Sequence, residues 1–186
     1  MTLELNEVLL EGEPRTLSLM AKEGCVTCLT GGTEERLTRC LWAMMGFGMV
    51  KNGYVSIDGE PLTPSSASIL RRMMAFAPAR LSSMGEIRCC EPPTVQDVFN
   101  LRANRSLPIS NGILAEEVRR VAHETDDERV QLLAVASLLN RPLLLVDNPL
   151  PFSLAYLRGK AAEGRTVIIT SRDRNVVCGS DVFFEI

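Results

Sequence analysis

Thr30-Gly31-Gly32-Thr33-Glu34-Glu35-Arg36-Leu37-Thr38 follows an apolar run at residues 26–29 and precedes a segment with helical spacing. That is the place of a phosphate-binding loop of the form G-x-x-x-x-G-K-[ST], in which glycines let backbone N–H groups converge on phosphate, the lysine neutralises charge and the hydroxyl holds Mg²⁺. Only Gly31 and Thr38 occupy motif positions; Arg36 stands at the second glycine and Leu37 at the lysine. Gly32 adds a second permissive residue, and Arg36 offers a cation of different reach from the missing ammonium. Glu34 and Glu35 place two carboxylates beside the position of a triphosphate, where each like-charge contact at about 4 Å costs roughly 1–4 kcal/mol depending on the local dielectric. Acidic residues in the first turn of a helix also complement its dipole, so both can serve the helix alone. The loop has the position of a nucleotide site and a chemistry that disfavours the nucleotide.

Working outward, the chain has 186 residues, 46% hydrophobic and 23% charged, which suffices for one domain with a substantial core. A net charge of −3 gives no basic footprint for nucleic acid. The first residues show no basic stretch leading into an apolar one, so the six cysteines are expected to be reduced thiols in a cytoplasmic protein. No apolar run approaches the roughly 20 residues of a membrane-spanning helix, and any membrane association is expected to run through a partner.

The order of elements is α/β. Residues 3–10, 16–20 and 25–29 read as strands, and 34–45 as a helix with apolar residues at Leu37, Cys40, Leu41, Met44 and Met45. Residues 54–57 read as a strand entering a hairpin at Asp58-Gly59, followed by a short helix at 65–72 and a strand at 73–77 that stops at Pro78. In the middle, 94–103 is expected as a helix capped by Thr94, 104–112 as a polar stretch broken by Pro108 and Gly112, and 114–122 and 127–139 as two further helices. Two continuous apolar runs, 143–146 and 166–169, flank a helix at 152–162 and fit fully buried parallel strands; 182–186 reads as a last strand. Ligands of such sheets collect at the C-terminal strand ends, which makes Asp147 the leading candidate for a chemical residue. Its other possible role is a helix or loop cap at a strand end.

The spacing resembles a known family, the ATP-binding subunit, or nucleotide-binding domain, of ABC transporters. Gly53-Tyr54-Val55-Ser56-Ile57-Asp58-Gly59 is similar to the family's hairpin after the first helix, and Leu70-Arg71-Arg72-Met73-Met74-Ala75-Phe76-Ala77-Pro78 to the run into its Q-loop. Thr94-Val95-Gln96-Asp97-Val98 resembles the entry to the helical subdomain, residues 128–142 the helix after the signature motif, and Leu144-Leu145-Val146-Asp147-Asn148-Pro149-Leu150 the Walker B segment. Residues 166–172 resemble the strand that delivers the switch histidine. The resemblance implies a P-loop NTPase-like fold with a mainly parallel core sheet, N-terminal antiparallel strands and a shortened helical subdomain: one domain over 1–186, with 1–78 and 143–186 as core and 79–142 as the reduced subdomain.

The same resemblance implies a degenerate site. Gly31, Gly32, Arg36 and Thr38 fall in the phosphate loop, and Thr38 and Asp147 at the positions that hold Mg²⁺ if nucleotide binds. The catalytic carboxylate falls on Asn148, whose amide cannot take a proton from water, and the switch histidine on Ser171. The Q-loop glutamine falls on Ala79, the aspartate of the loop after Walker B near Leu154, and the signature loop on Thr125-Asp126-Asp127-Glu128, where Thr125 and Asp126 are good helix caps. No aromatic lies between Thr2 and Ala21 to stack an adenine. His123 reads as a surface residue of a helix, and Cys25-Val26-Thr27-Cys28 as packing residues, because i and i+3 of a strand face opposite sides and Cys89-Cys90 are not spaced as a second zinc-binding pair.

The expectation is therefore a catalytically inactive ABC-type subunit with no cofactor, acting as a binding or scaffolding component of a membrane transport system. Its partner would be a membrane permease engaged through residues 79–93, with no ATP-driven homodimer, and it would sit in the cytoplasm or at the inner face of a membrane. The alternatives are a divergent ABC ATPase that binds Mg-ATP through Arg36 and Asp147, and a regulatory protein with no transporter partner.

Overall fold

The computed structural model describes residues 1–84, 94–95, 98, 110–122 and 126–186. Its elements in chain order are β1 (Leu3–Leu10), β2 (Leu17–Ala21), β3 (Val26–Thr30), α1 (Glu34–Met44), β4 (Val50–Ile57), β5 (Glu60–Pro61), α2 (Ala67–Leu70), β6 (Met74–Ala77), α3 (Asn111–Val121), α4 (Glu128–Leu138), β7 (Leu143–Asp147), α5 (Leu154–Ala162), β8 (Thr166–Thr170), α6 (Arg174–Gly179) and β9 (Val182–Glu185). Single 3₁₀ turns lie at Arg71–Met73, Leu81–Met84 and Pro151–Ser153.

The strands form two sheets. One is wholly parallel in the order β6-β7-β8-β3-β9. The other is antiparallel in the order β2-β1-β4-β5. The strand period of two splits the parallel sheet between two cores. Leu29, Leu143, Leu145 and Ile168 pack with α1 and the antiparallel sheet. Val26, Cys28, Leu144, Val146, Val167 and Ile169 pack on the other face with residues of α3, α4 and α5. Burial on both faces explains why β7 and β8 are continuously apolar in sequence. The β4–β5 hairpin turns through Asp58 (φ 48°) and Gly59 (φ 83°), the two positive φ angles that a tight primed turn requires.

Several local expectations meet a different outcome. Of the helix expected at 94–103, residues 94, 95 and 98 alone are described, with Val98 N–H donating to the Thr94 carbonyl; the rest, with Pro108, His123, Thr125 and Cys89-Cys90, lies outside the described residues. Gly112, expected as a breaker, is inside the first turn of α3, because Ser110 caps that helix by accepting from Ile113 N at 3.3 Å. The cap of α4 is Asp127, accepting from Arg129 N at 2.9 Å, and not Asp126. Helix α6 was not expected, since six residues are too few to show a period; Asp173 starts it by accepting from Asn175 N at 2.7 Å.

A buried ionic network fastens α3 to α5. Glu117 is 4% exposed and accepts from the Tyr156 hydroxyl, with Lys160 Nζ at 3.1 Å and Arg120 Nη1 at 3.2 Å. Burial alone would raise the Glu117 carboxyl, but hydrogen bonds from Tyr156 and Lys160, with the charges of Lys160 and Arg120, hold it below its ordinary value of 4.5. Because the folded-state value is depressed, this stabilisation is fully present above the ordinary value and disappears as pH falls through the lower folded one. Glu117→Gln should therefore cost about 1–3 kcal/mol at neutral pH. Urea unfolding at pH 7 and at pH 3 checks this: the gap between variant and parent must narrow at the acidic pH.

Candidate functional site

The C-terminal ends of β3, β7 and β8 lie side by side and bring the phosphate-loop segment against Asp147. Asp147 is 4% exposed, and both its oxygens are engaged. Thr38 Oγ1 donates to Oδ2 at 2.7 Å, and Thr170 Oγ1 donates to Oδ1 at 2.6 Å. Thr170 Oγ1 in turn accepts from Asn148 N at 3.0 Å. This chain of bonds meets the requirement that a buried carboxylate be hydrogen-bonded.

The loop itself is short because α1 starts early. Thr33 caps the helix, accepting at its hydroxyl from Arg36 N at 3.2 Å and at its carbonyl from Leu37 N at 3.1 Å. Two amides that a phosphate cradle would use are thus bonded inside the chain. Gly31 (φ 84°) and Gly32 (φ 60°) make the turn from β3 into this cap. A Cβ on Gly32 would lie 2.9 Å from Arg36 Cδ, so the arginine stem covers the loop. The Arg36 guanidinium points away to Glu13, Nε to Oε2 at 2.7 Å, and Glu13 also holds Arg39 at 3.4 Å. Leu37 is 2% exposed and belongs to the core stripe with Cys40, Leu41 and Met44.

Two spaces adjoin Asp147. A cavity of about 10 Å³ is lined by Leu37, Asp147, Asn148, Thr170 and Ser171, among others, and holds about one water molecule. Ser171 is 1% exposed, and its hydroxyl accepts from Asp173 N at 3.1 Å. Beside this cavity, an open cleft of about 510 Å³ gathers Glu34, Ala79, Arg80, Asp127, Glu128, Arg129 and Asn148. Asp127 grips Arg129 through Nε at 3.1 Å and Nη2 at 2.9 Å, which lowers the carboxyl and raises the guanidinium. Asn148 stands at φ 48°, a left-handed conformation that asparagine tolerates better than most side chains.

Comparisons with solved structures bear on the whole of this arrangement. An ATP-binding subunit of an ABC transporter superposes with a TM-score of 0.73 at 16% identity, over 100% of this chain and 86% of that one. The cbiO1 protein of Clostridium perfringens, part of the ABC transporter complex cbiONQ, gives 0.70 at 15% identity, over 98% and 83%. A nucleotide-free ATP-binding cassette from an ABC transporter gives 0.67 at 16% identity, over 100% and 88%. The chain has the fold of ABC transporter ATP-binding subunits. No family model and no curated protein matches its sequence.

Within the ABC fold, the positions singled out from sequence divide into two groups. Thr38 and Asp147 meet, with Ser171 near them; Asn148, Ala79 and Asp127 meet with Glu34 across the cleft. Arg36 joins neither. Thr38 and Asp147 are hard oxygen donors of the kind Mg²⁺ takes, so the metal half of an Mg-nucleotide site fits these residues. The phosphate half does not: the lysine position is core, the Arg36 and Leu37 amides are bonded, and the cavity at Asp147 is smaller than a phosphate group. Thr170 and Glu13 were not among the expected site residues. Thr170 follows the apolar run 166–169 as Asp147 follows 143–146, which is a usable signal, whereas nothing local marks Glu13 as the anchor of Arg36.

Two substitutions test these assignments. Leu37→Ala should destabilise by about 2–5 kcal/mol, as for a core leucine, whereas an exposed loop position would stay within about 0.5 kcal/mol. Thr170→Val should cost about 1–3 kcal/mol by leaving an Asp147 oxygen without its donor. Denaturant midpoints at unchanged slope provide the measurement.

Proposed function

We propose that this chain is a degenerate ABC-type subunit that has given up ATP hydrolysis and ATP binding and works as a binding or scaffolding component of a membrane transport system. The observation that carries the reading is the self-satisfied phosphate loop, in which Thr33 takes the Arg36 and Leu37 amides and the Leu37 side chain enters the core. Asn148 at the catalytic carboxylate position supports it, because general-base assistance of about 10²–10⁴-fold is then missing. Glu34, Asp127 and Glu128 add carboxylates to the cleft where a triphosphate would end.

A partner surface is available elsewhere. Residues 79–93, which the resemblance sets against a permease, fall largely outside the described residues, and several exposed apolar side chains lie around the β4–β5 hairpin and α2. Phe47 (64% exposed), Met49 (70%) and Ile69 (62%) stand near a groove of about 620 Å³ lined by residues of α1, β4, β5 and α2, with the Arg71 guanidinium over the Phe47 ring at 4.6 Å. Exposed apolar clusters of this kind mark protein contacts. The Clostridium perfringens neighbour is part of a transporter complex, and a cytoplasmic helix of a permease is the corresponding occupant here. No described helix is long and apolar enough to cross a membrane, so attachment through a partner suits the chain.

Calorimetry and thermal unfolding with Mg-ATP decide the first half of the proposal. No heat and no shift in Tm are expected at millimolar nucleotide; a ligand at a hundred times its Kd would add about 2.7 kcal/mol of stability, and such a gain would overturn the loss of nucleotide binding. For the second half, a complex with a polytopic membrane protein should form without nucleotide and be lost in Phe47→Asp; retention of the complex in that variant would remove this groove as the contact.

A further inference from the structure

The groove between the β4–β5 hairpin and α2 has one charged wall, and that charge limits what can cover it. Phe47, Tyr54, Leu62 and Ala67 are on its lining, and Arg71 is the one charged residue there. Thr63, also on the lining, has its hydroxyl engaged with Ser65 Oγ at 2.9 Å and Ser66 Oγ at 3.0 Å. The Arg71 guanidinium is fixed from two sides: Nη1 donates to the Met45 carbonyl at 3.2 Å, and the group lies over the Phe47 ring, 4.6 Å from its centroid. Among the described residues no carboxylate pairs with it. Glu60, on β5, is exposed and off the lining, while Arg72, next to Arg71 on the same 3₁₀ turn, adds a second, exposed cation. A guanidinium carries five N–H donors, so donors remain on Arg71 for a further acceptor.

We infer that the partner helix seated in this groove carries an Asp or Glu on its apolar face, and that this carboxylate pairs with Arg71; the inference rests on the reading of the groove as a partner contact and supplies the chemistry of its occupant. An apolar side chain that packs against Phe47 and Leu62 also takes water away from Arg71. A cation covered in this way opposes binding unless an anion replaces the water. The groove itself offers none, so the anion has to come from the partner. The Met45 carbonyl and the Phe47 ring already hold the guanidinium, so little rotamer freedom is lost when a carboxylate arrives, and the planar fork suits two parallel N–H···O bonds. A partner with Lys or Arg at the same point meets like charge from Arg71 and Arg72 and is rejected, which makes the pair a source of specificity as well as affinity. On a helix, the carboxylate stands three or four residues from the side chain that packs on Phe47, because those spacings share one face.

The probe is a phage-displayed library of random linear peptides panned on the full chain, with every clone that also binds Phe47→Asp discarded, so that groove binders alone are kept. These are expected to combine aromatic or aliphatic residues with an Asp or Glu at helical spacing. A synthetic peptide made from such a clone should bind more weakly as salt is added, and its Glu→Gln or Asp→Asn form should show a Kd raised about tenfold. On the chain, Arg71→Gln should weaken the acidic peptide and leave its amide form unchanged, with an unaltered Tm; the comparison of the two peptides on the parent chain stands even where that variant folds poorly. Groove binders without an acidic residue, or acidic and amide peptides of equal Kd, would overturn the Arg71 pair and leave the groove as a contact. A library that yields no clone dependent on Phe47 would remove the groove itself, and the pair with it.

Discussion

The buried Asp147 carboxylate is the constraint around which this end of the molecule is organised. A charge with 4% exposure at the end of a buried parallel strand must be matched by donors, and its two donors come from different elements, Thr38 on α1 and Thr170 on β8. Those bonds tie the first helix to the centre of the sheet, at the strand ends where such folds otherwise admit a ligand. Both Asp147 oxygens have donors from the chain itself, so the carboxylate keeps its place without a guest.

Stability and site chemistry are carried by separate parts of the chain. The two cores meet across the parallel sheet, and their residues come from strands and helix stripes, whereas Ala79, Asp127 and Asn148 lie at the ends of those elements. Leu37 belongs to one of these cores, and Asn148 lies outside both, so the layers do not depend on which chemistry the loops carry. The likeness to solved structures at 15–17% identity is of this kind, a likeness of layers and connections.

How far the chain could be read in advance follows from the range of the interactions involved. β7 and β8 were legible because burial on both faces writes an uninterrupted apolar run, and α1 because Leu37, Cys40, Leu41 and Met44 repeat at helical spacing. The hairpin was legible from Asp58-Gly59, where the backbone requirement is local. The anchor of Arg36 was not, since Glu13 lies 23 residues away, with β2 and β3 between, and gives no local signal. Asp127 and Asp126 are equally good caps by residue type; which one serves depends on where packing of Val130, Leu133 and Ala134 against the sheet fixes the helix start. α6 was missed because six residues cannot display a period.

The start of α1 at Glu34 makes the loop's shortness and the burial of Leu37 a single feature. Once Thr33 caps the helix, residues 37, 40, 41 and 44 share the face that packs on the sheet, and position 37 must be apolar. Conversely, a lysine that reaches a phosphate needs residues 34–37 unwound into a loop whose amides point at the anion, which Arg36 in place of glycine and the Thr33 cap both oppose. Leucine at position 37 and the helical winding of residues 34–37 are thus one feature, and the proposed loss of nucleotide binding rests on both together. Putting the ammonium back at position 37 alone would strain the core without rebuilding the cradle. Thr38 is the exception that supports the rule: its hydroxyl still reaches Asp147 from within the helix, at 2.7 Å, because that contact depends on the sheet and not on the loop.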